Sequence, residues 1–308
     1  MGFHHSTVQY AIQSFSRLNS LRKLAVMQLI NTSRFAASKM KIVVISFLLV
    51  CHSQASTVTA NALAAWEKYV QQSKVELTRQ SGNPDHFLPI HRQPAKIERA
   101  RSGENPAVPS VQGEMVVVPS GLIHHWMGTV FVPNVRAFDA LAVLQDYDSY
   151  AELYKPGVIH SKLLSHKPDE FSYRLKFVQK GFGIKTGLLG EFRTTYFQLN
   201  ERTGYSVTEA TQLVELQNPG SPDEKPLSTS ASHGYVEKVF TIVRYQQSDR
   251  GVSVEVETLT LSRGVPASVR WLIAPIVERF SRQAMAGTME RLRDRTQAPR
   301  TFESASSR

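Results

Sequence analysis

The C-terminal stretch Val265–Arg295, VPASVRWLIAPIVERFSRQAMAGTMERLRDR, restricts the fold of this chain more than any other. Val269, Leu272, Ile273, Ile276, Val277, Phe280, Ala284, Thr288 and Leu292 recur at helical spacing and form one broad apolar stripe. Arg270, Glu278, Arg279, Arg282, Glu290, Arg291 and Arg293 fall mostly off that stripe. Pro275 lacks an N–H and crowds the carbonyl four residues back, so the helix is expected to kink or break there. Phe280, Ala284 and Gly287 would then face inward, making the stretch a hinged lid. Nearly everything between residue 120 and this helix reads as strand. A long helix that closes a run of strands must lie across the sheet, because neither face can stay wet. An interior cavity between the two is the natural consequence.

The strands are set by turn residues and alternation. Leu122–Val132 is the first, broken by Pro133-Asn134. Val135–Gln145 follows as a helix that buries Phe138, Leu141, Ala142 and Leu144, and Asp146–Tyr154 as a second, short one. Then come Val158–Ser165, Phe171–Gln179, Ile184–Leu199, Tyr205–Leu216, Tyr235–Gln246 and Val252–Ser262, with a polar loop from Asn218 to His233. Connections this short make neighbours antiparallel. Such a sheet does not stay flat, and curling around a helix is its natural solution. The predicted class is α+β, a curved seven-stranded antiparallel sheet around a long C-terminal helix.

The net charge of +10 is concentrated at one end. Residues 1–55 hold Arg17, Arg22, Lys23, Arg34, Lys39 and Lys41 with no acid, and without those six charges the remainder carries +4. Nucleic acid is therefore not an expected partner. Lys39 and Lys41 lead into the apolar run Ile42–Cys51, with Ser53 and Ala55 just beyond, which is the tripartite pattern of a secretory signal peptide. The expected organisation is a signal region at 1–55 starting at Met40 and cleaved after Ala55. A helix and linker at 56–113, a main domain at 114–297 and a tail at 298–308 follow. The location would be secreted or periplasmic. Within 56–113, Thr57–Arg79 reads as a helix with Ala62, Ala65, Trp66, Tyr69 and Val70 on its apolar face. Residues 80–113 read as linker, with Phe87-Leu88-Pro89-Ile90 as a short strand.

LIHHWMGTVFVP (122–133), LQDYDSYAELYKPGVIHSKLLS (144–165), the segment 234–266 ending in Arg-Gly-Val-Pro, and WLIAPIVERF (271–280) resemble the START-like, or SRPBCC, helix-grip superfamily. The likeness runs from about residue 60 to 295 and is greatest to exported bacterial proteins of this class with no assigned activity. It implies a hydrophobic cavity, in a superfamily of sterol and phospholipid carriers, coenzyme-Q-binding proteins, polyketide aromatases and cyclases, and plant hormone-binding proteins. Fold alone does not select among these.

No catalytic signature accompanies the fold. His124 and His125 are strand neighbours pointing to opposite faces, so they cannot chelate one metal together. No His-Glu-x-x-His occurs, and neither a metal nor a cofactor is expected. Gly181–Gly187 lacks the Gly-Lys-Ser/Thr ending of a phosphate loop and reads as a hairpin. Charges alternate with apolar residues along several strands. Either they form a solvated outer face or some point inward and hold a ligand head group, with Arg174, Glu191, Arg193 and Glu255 the ones to follow. Trp126, Phe131, Phe177, Tyr196, Phe240, Trp271 and Phe280 are core residues of which a subset would line the pocket. The expected partner is a hydrophobic small molecule or lipid, with transient membrane contact during exchange. Two alternatives are an aromatase/cyclase-like enzyme using a cavity acid or base, and a ligand-free envelope interaction module.

Overall fold

The first helix starts where the Thr59 hydroxyl accepts a hydrogen bond from the Ala62 N–H at 3.2 Å, capping an otherwise unpaired donor. This helix, α1, spans Ala60–Ser81 and buries Ala62, Trp66, Val70, Leu77 and Gln80. The computed structural model describes residues 58–83, 87–88, 110–181, 184–264 and 267–298. The chain divides into two units, Met1–Ala55 and Ser56–Arg308, and every described residue lies in the second. The expected signal region, Met40 start and cleavage after Ala55 lie outside the described residues. So do Pro89, Ile90 and the tail beyond residue 298.

After α1 come β1 (Ser110–Val118), β2 (Gly121–Pro133), α2 (Ala137–Leu144), a 3-10 turn (Tyr147–Ser149) and α3 (Tyr150–Leu153). Next are β3 (Val158–His166), β4 (Glu170–Gly181), β5 (Ile184–Asn200), β6 (Thr203–Gln217), β7 (Lys225–Pro226), β8 (Lys238–Ser248), β9 (Gly251–Arg263) and α4 (Ala267–Gln297). All strand pairings are antiparallel, in the order β1-β2-β9-β8-β6-β5-β4-β3, with β7 attached to β6. The architecture is the α+β helix-grip arrangement read from the sequence. The sheet has nine strands where seven were predicted. The two additions are β7, only two residues long, and β1, which begins in the stretch read as linker, crosses the predicted domain boundary at 114 and runs into β2 through Ser120 at φ 59°.

Pairing register assigns the two faces. Trp126, Gly128, Val130 and Val132 of β2 pair with Thr258, Val256, Val254 and Val252 of β9 and point toward α2, α3 and α4, the inner face. Ile123, Leu259, Leu261, Phe240 and Ile242 point the other way and pack under Trp66, Val70 and Leu77 of α1. The N-terminal helix is thus packed on the domain, on the outer face. β2 is apolar on both faces because it is covered on both.

The C-terminal helix packs on β1 and β2 and reaches α2 and α3. It is continuous through Pro275, so the predicted break is absent. One internal proline removes a single helical hydrogen bond, which an otherwise packed helix can absorb. The face it buries also differs from the predicted stripe: Leu292 is inward as expected, but so are Met285 and Met289, while Phe280 is 45% exposed and Ala284 is exposed. Gly128 explains the offset. A Cβ there would meet Met285 and Met289 side-chain atoms at 2.7–2.9 Å, so the bare strand at this point admits both methionines. Arg282, read as off-stripe, lies against the sheet, donating to the Val111 carbonyl at 2.8 Å with its guanidinium 5.6 Å from the Trp126 ring. A similar offset occurs in α2, which buries Ala137, Ala140, Val143 and Leu144 while Phe138 stays 48% exposed beneath the Arg136 guanidinium.

Candidate ligand site

Tyr147, Tyr150 and Tyr154 fall on successive turns of the 3-10 and α3 segment, so one side of it is phenolic. That side lies over the inner face of β4 and β5. Tyr147 stacks on Tyr173 at 4.0 Å, Tyr173 on Phe192 at 5.5 Å, and Phe177 meets Phe192 edge-on at 6.1 Å. The hydroxyls are mostly consumed. Tyr150 and Tyr196 both donate to the Leu144 carbonyl, at 2.6 and 3.0 Å, and Tyr147 and Tyr196 share a hydrogen bond of 2.8 Å. Burial pushes the Tyr173 phenol up to about 12 against the opposing pull of its Thr194 and Thr208 hydrogen bonds, so it is a neutral wall element at neutral pH.

Between this wall and the β2–α4 core lies a trough. On the central strands β8 and β9 the outer-face residues are sealed, with Phe240 1% exposed and Ile242, Leu259 and Leu261 at 0%. Their inner-face neighbours Val239, Thr241, Val243, Val256, Thr258 and Thr260 are only half-buried. The middle of the sheet is therefore less covered on the side of the C-terminal helix than on the side of α1. Its floor mixes valine methyls with threonine hydroxyls, Thr241 and Thr258 lying 3.3 Å apart.

Polar groups with no partner flank this floor. On the β2 side, His124 Nε2 meets the Ser262 hydroxyl at 2.8 Å while its Nδ1 has no partner, and the buried Trp126 indole N–H has none either. Burial lowers the His124 pKa, which keeps the ring neutral at pH 7. On the other side lie the buried Tyr154 phenol and the half-buried Arg291 guanidinium, for which no hydrogen bond or ion pair is found among the described residues. The two are neighbours. Burial pushes the Tyr154 phenol up, and the Arg291 charge works in the opposite direction.

The predicted site residues divide between the faces. Trp126, Phe177 and Tyr196 are on the inner face, Trp126 within the β2–α4 core and the other two in the aromatic wall. Arg174 and Glu191 pair with each other on the outer face, Nη2 to Oε1 at 2.6 Å, where Arg193 also lies. β4 and β5 place Phe171, Tyr173, Phe177, Phe192 and Tyr196 inward, and alternation sends these charges out. Phe240 is buried on the outer side beneath α1, and Glu255 is buried on the same face against Arg244, so neither lies in the trough. Phe280 is exposed, and the Trp271 side chain lies outside the described residues. Sequence reasoning missed Tyr154, Arg291 and the valine–threonine floor. The i, i+3, i+7 spacing of Tyr147, Tyr150 and Tyr154 was the available signal.

The outer face carries two further features. A groove of about 380 Å³ runs between α1 and strands β5–β6, lined by Lys74, Leu77, Phe197, Tyr205, Val207 and Arg193 among others. Nearby, Arg244 is 1% exposed and bridges two buried carboxylates, Glu255 at 3.1 Å and Glu257 at 2.7 Å. Charges that the sequence left either solvated or cavity-facing are thus buried against each other. The polar loop after β6 is fastened at its far end: buried Glu215 accepts from the His233 and Tyr235 N–H groups at 2.7 and 2.8 Å. Among the described residues no group of His, Cys, Asp and Glu could hold a metal ion, and no helix is long and apolar enough to cross a membrane.

No protein-family model matches the sequence, and no curated protein matches it. Solved structures do. A STAR-related lipid transfer protein from Xanthomonas axonopodis aligns with TM-score 0.41 and 17% identity, over 62% of this chain and all of its own. The Zhui aromatase/cyclase from Streptomyces sp. R1128 aligns with TM-score 0.38 and 16% identity over 57% of this chain and 97% of its own. Human STARD10 aligns with TM-score 0.36 and 8% identity over 64% and 77%.

Proposed function

We propose that the chain binds a hydrophobic small molecule or lipid in the inner trough, as a carrier or binding protein. The supporting observation is the half-buried valine–threonine floor of β8 and β9, bordered by a fully packed aromatic wall and by polar groups that lack partners. An apolar body lying on Val239, Val243 and Val256 would gain about 25 cal/mol for each Å² removed from water. Its polar end would meet the Arg291 charge and the neighbouring Tyr154 hydroxyl, a cation and a donor that favour an anionic or carbonyl-bearing head. Binding sites of this kind are mostly apolar with few polar anchors. The acid/base alternative has less support, since Glu191 is on the outer face and Glu255 is locked to Arg244.

The test is titration with an anilinonaphthalene sulfonate, an aromatic body with an anionic head. One saturable site is expected, weakened about tenfold by Arg291→Ala through loss of one charge-assisted contact. Thr258→Trp, which fills the floor, should abolish it, and Arg174→Ala should leave it unchanged. Equal binding by the filled variant would sink the proposal.

Export remains part of this reading. The Lys39–Ala55 pattern supports it, and N-terminal sequencing of protein from the extracytoplasmic fraction should begin at Ser56. Full-length protein retained in the cytoplasm would refute it.

A further inference from the structure

On the outer face, α1 is tied to the sheet by a chain of side chains that ends in a carboxylate at each extremity. His125 Nε2 lies 3.0 Å from Glu257 Oε1, His125 Nδ1 lies 2.9 Å from the Tyr69 hydroxyl, and that hydroxyl lies 3.2 Å from Glu114 Oε1. The residues come from four elements: Glu114 from β1, His125 from β2, Glu257 from β9 and Tyr69 from α1. Arg244 of β8 reaches the same Glu257 from the far side at 2.7 Å and also holds Glu255 at 3.1 Å. Thr129 adds a 3.3 Å contact to Glu255.

Proton counting decides how many of these links exist at once. Ionised carboxylates only accept, so the three contacts from Glu257 to Glu114 need three protons between them. The Tyr69 phenol supplies one. An imidazolium supplies two and completes the chain: Nε2–H to Glu257, Nδ1–H to the Tyr69 oxygen, and Tyr69 O–H to Glu114. A neutral imidazole supplies one, and one link must open. Charge favours the same state. Arg244 is shared between Glu255 and Glu257, and a protonated His125 places a second cation beside Glu257.

We propose that His125 is a proton-operated latch for α1: protonated, it fastens the helix to β1, β2 and β9, and deprotonated, it loosens it. The groups around it support that direction. Burial works to raise the Glu257 pKa, but His125 and Arg244 outweigh it, so this carboxylate stays ionised and waiting for a cation. Tyr69 is pushed up to about 12 by burial and by Glu114 and Glu257, so the phenol remains a donor across the working range. Raising the pH removes the second ring proton and with it one link of the chain, which releases the latch. Since α1 contributes Lys74, Leu77 and Thr78 to the wall of the outer groove, release widens that groove.

Hydrogen–deuterium exchange of the full chain, corrected for intrinsic rates, tests this. Protection of the α1 peptide should fall about tenfold between pH 5.5 and 7.5, the loss of one charge-assisted hydrogen bond. Protection of β8 and β9 should stay level. Tyr69→Phe, which keeps the ring and removes the proton, should flatten the pH dependence of α1, and His125→Gln should do the same. Level α1 protection in the wild type, or an unchanged slope in Tyr69→Phe, overturns the latch.

Discussion

Replacing Arg244 by methionine is the most informative single perturbation of the fold. The side chain is 1% exposed and touches Glu255, itself at 0%, and Glu257 at 5%. Methionine fills a similar volume, so the cavity contribution is small and the loss is electrostatic. Both carboxylates then lose their shared guanidinium in a dry interior, where His125 lies beside Glu257 and Thr129 beside Glu255. Removing one partner from a buried ion pair costs about 3–5 kcal/mol. In a domain of this size each kcal/mol lowers Tm by about 2–4 °C, so the fall should be roughly 6–20 °C. Urea unfolding followed by tryptophan fluorescence, run at pH 7, gives the free energy directly. Adding Glu255→Gln and Glu257→Gln to the methionine variant should restore most of the loss, because a neutral cluster no longer carries uncompensated charge. A deficit below about 1 kcal/mol, or one that survives both amide substitutions, would refute the assignment of this cluster as a desolvated charge network.

Three further outcomes follow from the geometry. Arg174→Ala should cost no more than about 1 kcal/mol in the same unfolding assay, because its pair with Glu191 is partly solvated; a cost above 2 kcal/mol would put the pair in a closed interior. Alkaline conditions should unfold the protein steeply: Tyr173 is raised to about 12 in the folded state, so its contribution is complete below pH 10 and disappears as pH climbs toward 12. That is roughly 3 kcal/mol from this residue alone, and absorbance at the phenolate band should rise together with loss of circular dichroism rather than before it. On the acid side, Glu257 has a folded pKa below its ordinary 4.5, so its contribution is present above about pH 4.5 and is lost as pH falls through the folded value. Glu257→Gln should therefore flatten the acid limb of stability against pH.

The strands and helices were legible because their signals are local. Alternation in Tyr173-Arg174-Leu175-Lys176-Phe177 assigns a β4 with one wet face, and the structure pairs it as such with β5. β1 was missed because Met115-Val116-Val117-Val118 follows a proline- and glycine-rich stretch, and a strand at a sheet edge needs little burial: Val117 is 54% exposed. Which face a charged strand turns inward depends on what covers it. Glu257 looks like a solvent-facing position until α1, some 170 residues earlier in the sequence, brings Tyr69 against its partner His125. The buried side of α4 was unreadable for a related reason. It is chosen by a gap at Gly128, not by the helix's own apolar stripe. The trough is a property of relative coverage on two faces, and no single segment encodes it.

Occupancy of the trough is the central claim, and mass measurement tests it most directly. Protein purified from cells without detergent should release, on organic extraction, a hydrophobic small molecule or lipid at close to one per chain, with a matching mass increment in native mass spectrometry. Thr258→Trp should lose that increment while keeping its circular dichroism. A wild-type mass equal to the bare polypeptide, or an increment that persists in the filled variant, would contradict the account.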